Sequence, residues 1–141
     1  MAANGITLDS SNYTQLAAWL EQDDWVIACL CAAWCDTCRS YRDGFDRLAA
    51  RHPDKRFVWI DIEDQADFIG DIDVENFPTL LIQRRDVVAF FGTVLPDAGV
   101  ADRLLSAQAE RDPAELLAEA SSSTERQDWQ RECNLLARLA R

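Results

Sequence analysis

Cys35 and Cys38 stand three positions apart in the stretch CAAWCDTCRS, residues 31–40, which holds three of the chain's five cysteines. Two thiols spaced i and i+3 on a helix share one side of it and lie close enough to close a small disulfide. A cysteine at a helix N-terminus meets unpaired N–H groups and the positive end of the helix dipole, and both favour its thiolate. The thiolate is the nucleophile of disulfide exchange. Cys35 is therefore expected to attack. Cys38, one turn deeper and less exposed, is expected to resolve the mixed disulfide formed with a substrate. A rival reading counts four sulfurs in ten residues, at Cys29, Cys31, Cys35 and Cys38. Four sulfur ligands suit zinc or an iron–sulfur cluster. Cys29 and Cys31 fall within an apolar run, though, where an extended chain is too straight to wrap an ion. The exchange pair is the favoured reading, with no metal and no cofactor expected. Strand alternation puts Cys29 and Cys31 on one face, where they are expected to pack as small hydrophobes.

Positioning this pair requires a strand before it and a helix after it. WVIACLC, residues 25–31, is a continuous apolar run and predicts a strand buried on both faces. The following helix is expected from about Cys35 to Arg51, with Tyr41, Phe45 and Leu48 inward, Gly44 weakening its middle and Pro53 stopping it. Upstream, a short strand at residues 6–8 leads to a helix opened by Asn12 and Gln15 at capping-box spacing, with Leu16, Trp19 and Leu20 inward. Downstream come a strand at residues 57–62, a short helix at 64–69, strands at 79–83 and 87–91 in a hairpin, and a helix at 97–108. Strands alternating with helices imply parallel pairing, and the hairpin adds antiparallel strands, so the fold class is α/β with a mixed sheet. Pro113 at a first turn predicts a helix to Ala120. Ser122 and Glu125 then have capping-box spacing for a last helix whose stripe is Trp129, Cys133, Leu136 and Ala140.

The composition narrows the function. A chain of 141 residues suits one domain. With 14 basic and 25 acidic residues the net charge is −11, which argues against nucleic acid and anionic membrane as partners. The first residues show no basic region followed by an apolar run, and no stretch approaches the ~20 apolar residues of a membrane span. A soluble cytoplasmic protein is the expectation, and in a reducing compartment cysteines are more often redox-active than structural. The sole histidine, His52, is expected to cap the end of its helix. Residues 61–75 carry seven acids and no base. That is read first as a solvated face, and alternatively as a field that steers basic partners inward.

The residues also carry a resemblance. AAWCDTCR after the strand VIACL resembles the active-site segment of the thioredoxin family, with Arg39 in the place of its usual basic residue. NFPTLL, residues 76–81, resembles the family's cis-proline loop, and Gly92 matches a third position after the last strand. The resemblance covers residues 6 to about 108. It implies a thioredoxin fold, a cis Phe77–Pro78 bond, and a Phe77 backbone open to pairing with an extended peptide. It further implies thiol–disulfide exchange through Cys35 and Cys38, with Trp34, Asp36, Thr37, Phe77, Pro78 and Thr79 contacting a disulfide-containing protein substrate. A partner reductase would supply the electrons.

Two departures stand out. Asp36-Thr37 replaces the family's usual Gly-Pro, placing a negative charge beside the nucleophile. The family also commonly buries an Asp six residues before the first active cysteine, often with a Lys partner. Here those positions hold Cys29 and approximately Trp59. The expected organisation is a thioredoxin-like domain over residues 1–108 and a helical extension over 109–141 packed on it, with the oligomeric state open. The alternative function is a thioredoxin-fold docking module with little redox turnover, suggested by the missing acid and the added helices.

Overall fold

Alternation along one strand sets the layers. The computed structural model describes residues 4–70 and 72–140. In β2 (Trp25–Cys31), Val26, Ala28 and Leu30 face one core, while Ile27, Cys29 and Cys31 face another. Residues of opposite parity leave a strand on opposite faces, so an apolar run of this length must be covered twice. Helices do so on both sides.

The remaining elements are β1 (Gly5–Thr7), α1 (Tyr13–Glu21), α2 (Asp36–Arg51), β3 (Arg56–Asp61), α3 (Ala66–Ile69), β4 (Thr79–Arg84), β5 (Val87–Thr93), α4 (Ala98–Ala109), α5 (Pro113–Ala120), α6 (Thr124–Glu132) and α7 (Leu135–Leu139). The five-stranded sheet has the order β1-β3-β2-β4-β5. β3 runs parallel to β1 and β2, and β4 is antiparallel to both β2 and β5. The mixed sheet expected from the element order is present, with β2 at its centre between β3 and β4. Leu16, Trp19 and Leu20 of α1 join Ile69 and Leu135 over one face. Tyr41, Phe45 and Leu48 of α2 join Ala101 and Leu105 of α4 over the other.

Several local expectations are corrected. Asn12 is the N-cap of α1, but its side chain makes no capping bond to the helix. Its Oδ1 accepts from Asp9 N (2.9 Å) and its Nδ2 donates to Thr7 O (2.8 Å), which ties the turn instead. Gly44 does not interrupt α2. An added Cβ there would lie 3.3 Å from Ala98 Cβ, so the missing side chain lets α4 approach α2 closely. Gly92 sits inside β5, paired with Leu80, rather than after it. His52 Nε2 lies 2.9 Å from Asp102 Oδ1, so its ring joins the end of α2 to α4 instead of capping carbonyls.

The C-terminal segment departs most. Its last helix is expected to be continuous but breaks at Cys133, and the cap of α6 is Ser123, not Ser122. The break has a polar cause. Gln83 of β4 and Asn134 are both buried. Gln83 Nε2 donates to Asn134 Oδ1 (2.8 Å) and to Arg85 O (2.7 Å), while its Oε1 accepts from Leu135 N (2.8 Å). Asn134 Nδ2 donates to Asp86 O (3.0 Å), and its Oδ1 accepts from Ala137 N (3.2 Å) as the cap of α7. The chain leaves helical geometry where these groups dock on the β4–β5 turn. One turn earlier, the Gln130 amide receives Val88 N and donates to Val88 O, each at 2.8 Å, and so occupies the open edge of β5. An unpaired edge strand invites association, and this amide blocks it at one residue.

A buried group stripped of its partner costs about 1–3 kcal/mol. Gln83→Ala removes the acceptor of Leu135 N, one of the two donors to Asn134 Oδ1, and the donor to Arg85 O. It is expected to lower the unfolding free energy by about 2–4 kcal/mol, read as a lower urea midpoint.

Candidate active site

Three residues connect β2 to the cap of α2, and they decide where the thiols fall. Ala33 N donates to Asp61 Oδ2 (3.0 Å) at the end of β3, and Asp61 Oδ1 also accepts from Glu63 and Asp64 N. Cys35 N donates to Ala32 O (3.0 Å). Cys35 is the N-cap of α2, in extended backbone, and its side chain makes no capping hydrogen bond. It is a free, half-buried thiol. Cys38 lies one turn inside and is buried. The helix-start placement expected for Cys35 and the deeper place expected for Cys38 are therefore found.

The bonding of Cys38 is not the expected one. Its sulfur is joined to Cys31, with a Cα–Cα separation of 5.7 Å, inside the range of roughly 4.4–6.8 Å that a disulfide spans. The sequence leads one to expect only small-hydrophobe packing from Cys31. It is buried, at the C-terminal end of β2 and on the face covered by α2, which places it directly beneath the first turn of that helix. The parity of β2 is legible in the sequence; the closeness of its last residue to the helix is not.

Around Cys35 the surface is apolar and open. Trp34 is 64 % exposed and meets Phe77 edge-on, with ring centroids 5.8 Å apart. The Phe77–Pro78 bond is cis, as the resemblance implies. Thr79 Oγ1 donates to Asn76 O (2.6 Å) and Val94 N to Pro78 O (3.0 Å), which pins the loop from both sides. Asp36, Thr37, Ser40, Tyr41 and Pro96 line a shallow cleft of about 330 Å3 beside the helix start. Leu95, next to it, is 69 % exposed. Sequence reasoning missed Leu95 and Pro96, because the loop after β5 carries no motif. Of the predicted contacts, Trp34 adjoins the free Cys35 and meets Phe77 of the cis-proline loop, Asp36 and Thr37 line the cleft at the helix start, and Thr79 is buried and supports the loop from β4.

The electrostatics differ from what the sequence suggests. Asp36 is paired with Arg39, whose Nη1 also donates to Ala33 O (2.7 Å). The charge beside the nucleophile is thus partly met by a cation that also braces the loop. Below, Cys29 is completely buried, pairs in register with Trp59, and has its sulfur 3.8 Å from that of Cys31. Burial pushes the Cys29 thiol well up, against a smaller opposing effect of the Arg42 guanidinium. Arg42 lies 4.7 Å over the Trp59 ring. The Tyr41 hydroxyl is also pushed well up, first by burial, then by Cys29 and Asp97.

Of the acidic stretch, Asp73 and Glu75 face Glu125, Asp128 and Glu132 of α6 across a groove of about 520 Å3 that also reaches Thr79. Asp71 lies outside the described residues.

A strand that launches a cysteine at a helix N-cap, together with a cis-proline loop, is the arrangement of a protein of thiol–disulfide exchange. Comparison with known proteins gives the family. The family model described as Thioredoxin matches residues 5–95. The chain is 26 % identical over 98 residues to "Putative thioredoxin 2" of Streptomyces coelicolor, covering 69 % of this chain and 71 % of that one. It is 26 % identical over 72 residues to "Thioredoxin-3, mitochondrial" of Saccharomyces cerevisiae, covering 51 % of this chain and 57 % of that one. A crystal structure of a poplar thioredoxin h is similar in fold, with a TM-score of 0.69 at 18 % identity over 78 % of this chain and all of the other (100 %). The chain belongs to the thioredoxin family and is a thiol–disulfide oxidoreductase. Among the described residues no helix is long and apolar enough to cross a membrane.

The raised Cys29 and Tyr41 groups set a pH dependence. An unfolded thiol ionises near about 8.5 and a phenol near about 10, while the folded chain keeps both protons. Above those values the unfolded state binds fewer protons, so stability falls as pH rises. In the disulfide-bonded protein, Cys29→Ala is expected to lose less stability between pH 7 and pH 9.5 than the parent, as measured by urea midpoints.

Proposed function

We propose that this oxidoreductase reduces protein disulfides, with Cys35 as the nucleophile and Cys38 as the resolving thiol. The observation that carries the reading is the half-buried free thiol of Cys35 at the α2 N-cap, next to Trp34, whose ring meets Phe77 of the cis-proline loop. Cys35 thiolate attacks one sulfur of the substrate disulfide, and the other leaves as a thiolate. Cys38 then attacks Cys35 Sγ, and the second substrate thiolate departs. The substrate gains two electrons and the protein ends with one disulfide.

Each flanking group has a part in this scheme. Trp34 and Phe77 offer apolar surface to the residues around the target disulfide. Phe77 backbone pairs with the substrate chain in an extended form. Asp36 and Thr37 border the cleft at the helix start, and Thr79 holds the loop in place through Asn76. The strongly negative surface favours substrates with a basic face. The reaction needs no cofactor, a partner reductase returns the electrons, and the cytoplasm is the compartment where such a reductant is maintained.

Cys35→Ser is expected to abolish dithiothreitol-coupled reduction of insulin, followed by turbidity, while the folded state survives. Parent-like activity in that variant sinks the mechanism. Trp34→Ala is expected to weaken the reaction by roughly tenfold, about 1.4 kcal/mol, mainly through KM, because it removes binding surface and leaves both thiols.

A further inference from the structure

We propose that Cys31 is a second resolving thiol, which takes Cys38 over from Cys35 and leaves the oxidised protein with its outer nucleophile free. The inference rests on the exchange reading above and extends it by one step. Cys38 sits where two partners reach it. Cys35 is three residues before it on the same helix, and residues at that spacing are neighbours on the helix surface. Cys31 lies beneath it at the end of β2 and is joined to it. Both cysteines of that inner pair are 1 % exposed, whereas Cys35 is half-buried and free.

The step is balanced. After substrate reduction the protein holds Cys35–Cys38. Cys31 loses its proton and its thiolate attacks Cys38 Sγ. The Cys31–Cys38 bond forms, the Cys35–Cys38 bond breaks, and Cys35 leaves as a thiolate that takes up a proton at the surface. No electrons enter or leave the protein. The structure holds the product state: Cys31 and Cys38 are joined and buried, and Cys35 is free at the α2 N-cap. One term opposes speed: Cys31 must ionise in its buried setting, so the inner exchange is slower than substrate reduction.

The oxidised protein would then differ in kind from a simple dithiol enzyme. Its disulfide is shielded from large partners, and its attacking thiol remains available. A mixed disulfide formed at Cys35 in this state has no resolving thiol until the inner bond is reduced. The protein would hold such a partner rather than release it.

The test mixes fully reduced protein with insulin, quenches with acid at intervals, and blocks thiols with N-ethylmaleimide under denaturing conditions. Cleavage before Asp24, Asp36 and Asp43 gives residues 24–35, with Cys29, Cys31 and Cys35, linked to residues 36–42, with Cys38. Tandem mass spectrometry then shows whether Cys31 or Cys35 carries the blocking group. The expected result is Cys31 blocked early and Cys35 blocked later, with the inner form exceeding the outer at least tenfold at the end. In Cys31→Ala the late form is expected to be missing, with Cys35–Cys38 persisting. Insulin thiols that appear while Cys31 remains blocked at all times overturn the inference and leave the exchange reading standing. If no insulin thiols appear, the exchange reading fails and this step fails with it. The parent chain alone decides between these outcomes, whether or not the variant folds.

Discussion

The join between the end of β2 and the start of α2 governs everything the site does. β2 is fixed on both sides by β3 and β4, and on both faces by apolar layers, so its last residue has no freedom. Only Ala32, Ala33 and Trp34 lie between that residue and the helix cap. Asp61 holds the Ala33 N–H from the end of β3, and Arg39 holds the Ala33 carbonyl from the first turn of α2. A link this short and this well bonded puts one cysteine under the helix, one at its cap and one a turn within. The chemistry is a consequence of that spacing more than of any single residue.

The same sheet explains the C-terminal helices. β5 would otherwise present an open edge, and the face of the sheet over Val88 and Leu81 would lack cover. Gln130 meets the edge and Leu135 fills the face. The Gln83–Asn134 pair fixes where the chain turns between these two duties. A buried polar pair of this kind adds specificity only because each of its groups is satisfied. That requirement, and not weak helix propensity, ends α6 where it does. The Trp129 ring meets Phe90 edge-on at 6.0 Å, so α6 also packs against β5.

Periodicity made most of the fold legible. The parity of β2, the inward stripe of α2 and the hairpin of β4 and β5 all follow from apolar spacing, and their bounds fall within two residues of those expected. What periodicity does not carry is contact between elements. Gly44 reads as a weak point in a helix, yet its role is to admit Ala98. His52 reads as a cap, yet it meets Asp102, fifty residues away in the chain. Ser122 and Glu125 have capping-box spacing, but so short a motif is satisfied at more than one register, and Ser123 takes the cap. At the site, the motifs placed Cys35 at the helix start and the Phe77–Pro78 bond in cis, and both are found. The partner of Cys38 was hidden because a strand cysteine and a helix cysteine seven residues apart show no pattern that differs from packing.

The replacement of the family's buried acid by Cys29 bears on the same point. A carboxylate at that position can accept a proton from a neighbouring thiol. Cys29 cannot do so at neutral pH, because burial keeps its own proton in place, and the nearby charge acting on it is the Arg42 guanidinium, which cannot accept a proton. What adjoins Cys38 beneath the helix is instead the sulfur of Cys31, joined to it. A thiol there makes Cys38 part of a three-sulfur set rather than a lone thiol awaiting a base. The place of the acid beneath the helix is thus taken by a line of sulfurs: Cys29 lies 3.8 Å from Cys31, Cys31 is joined to Cys38, and Cys35 stands free at the helix cap.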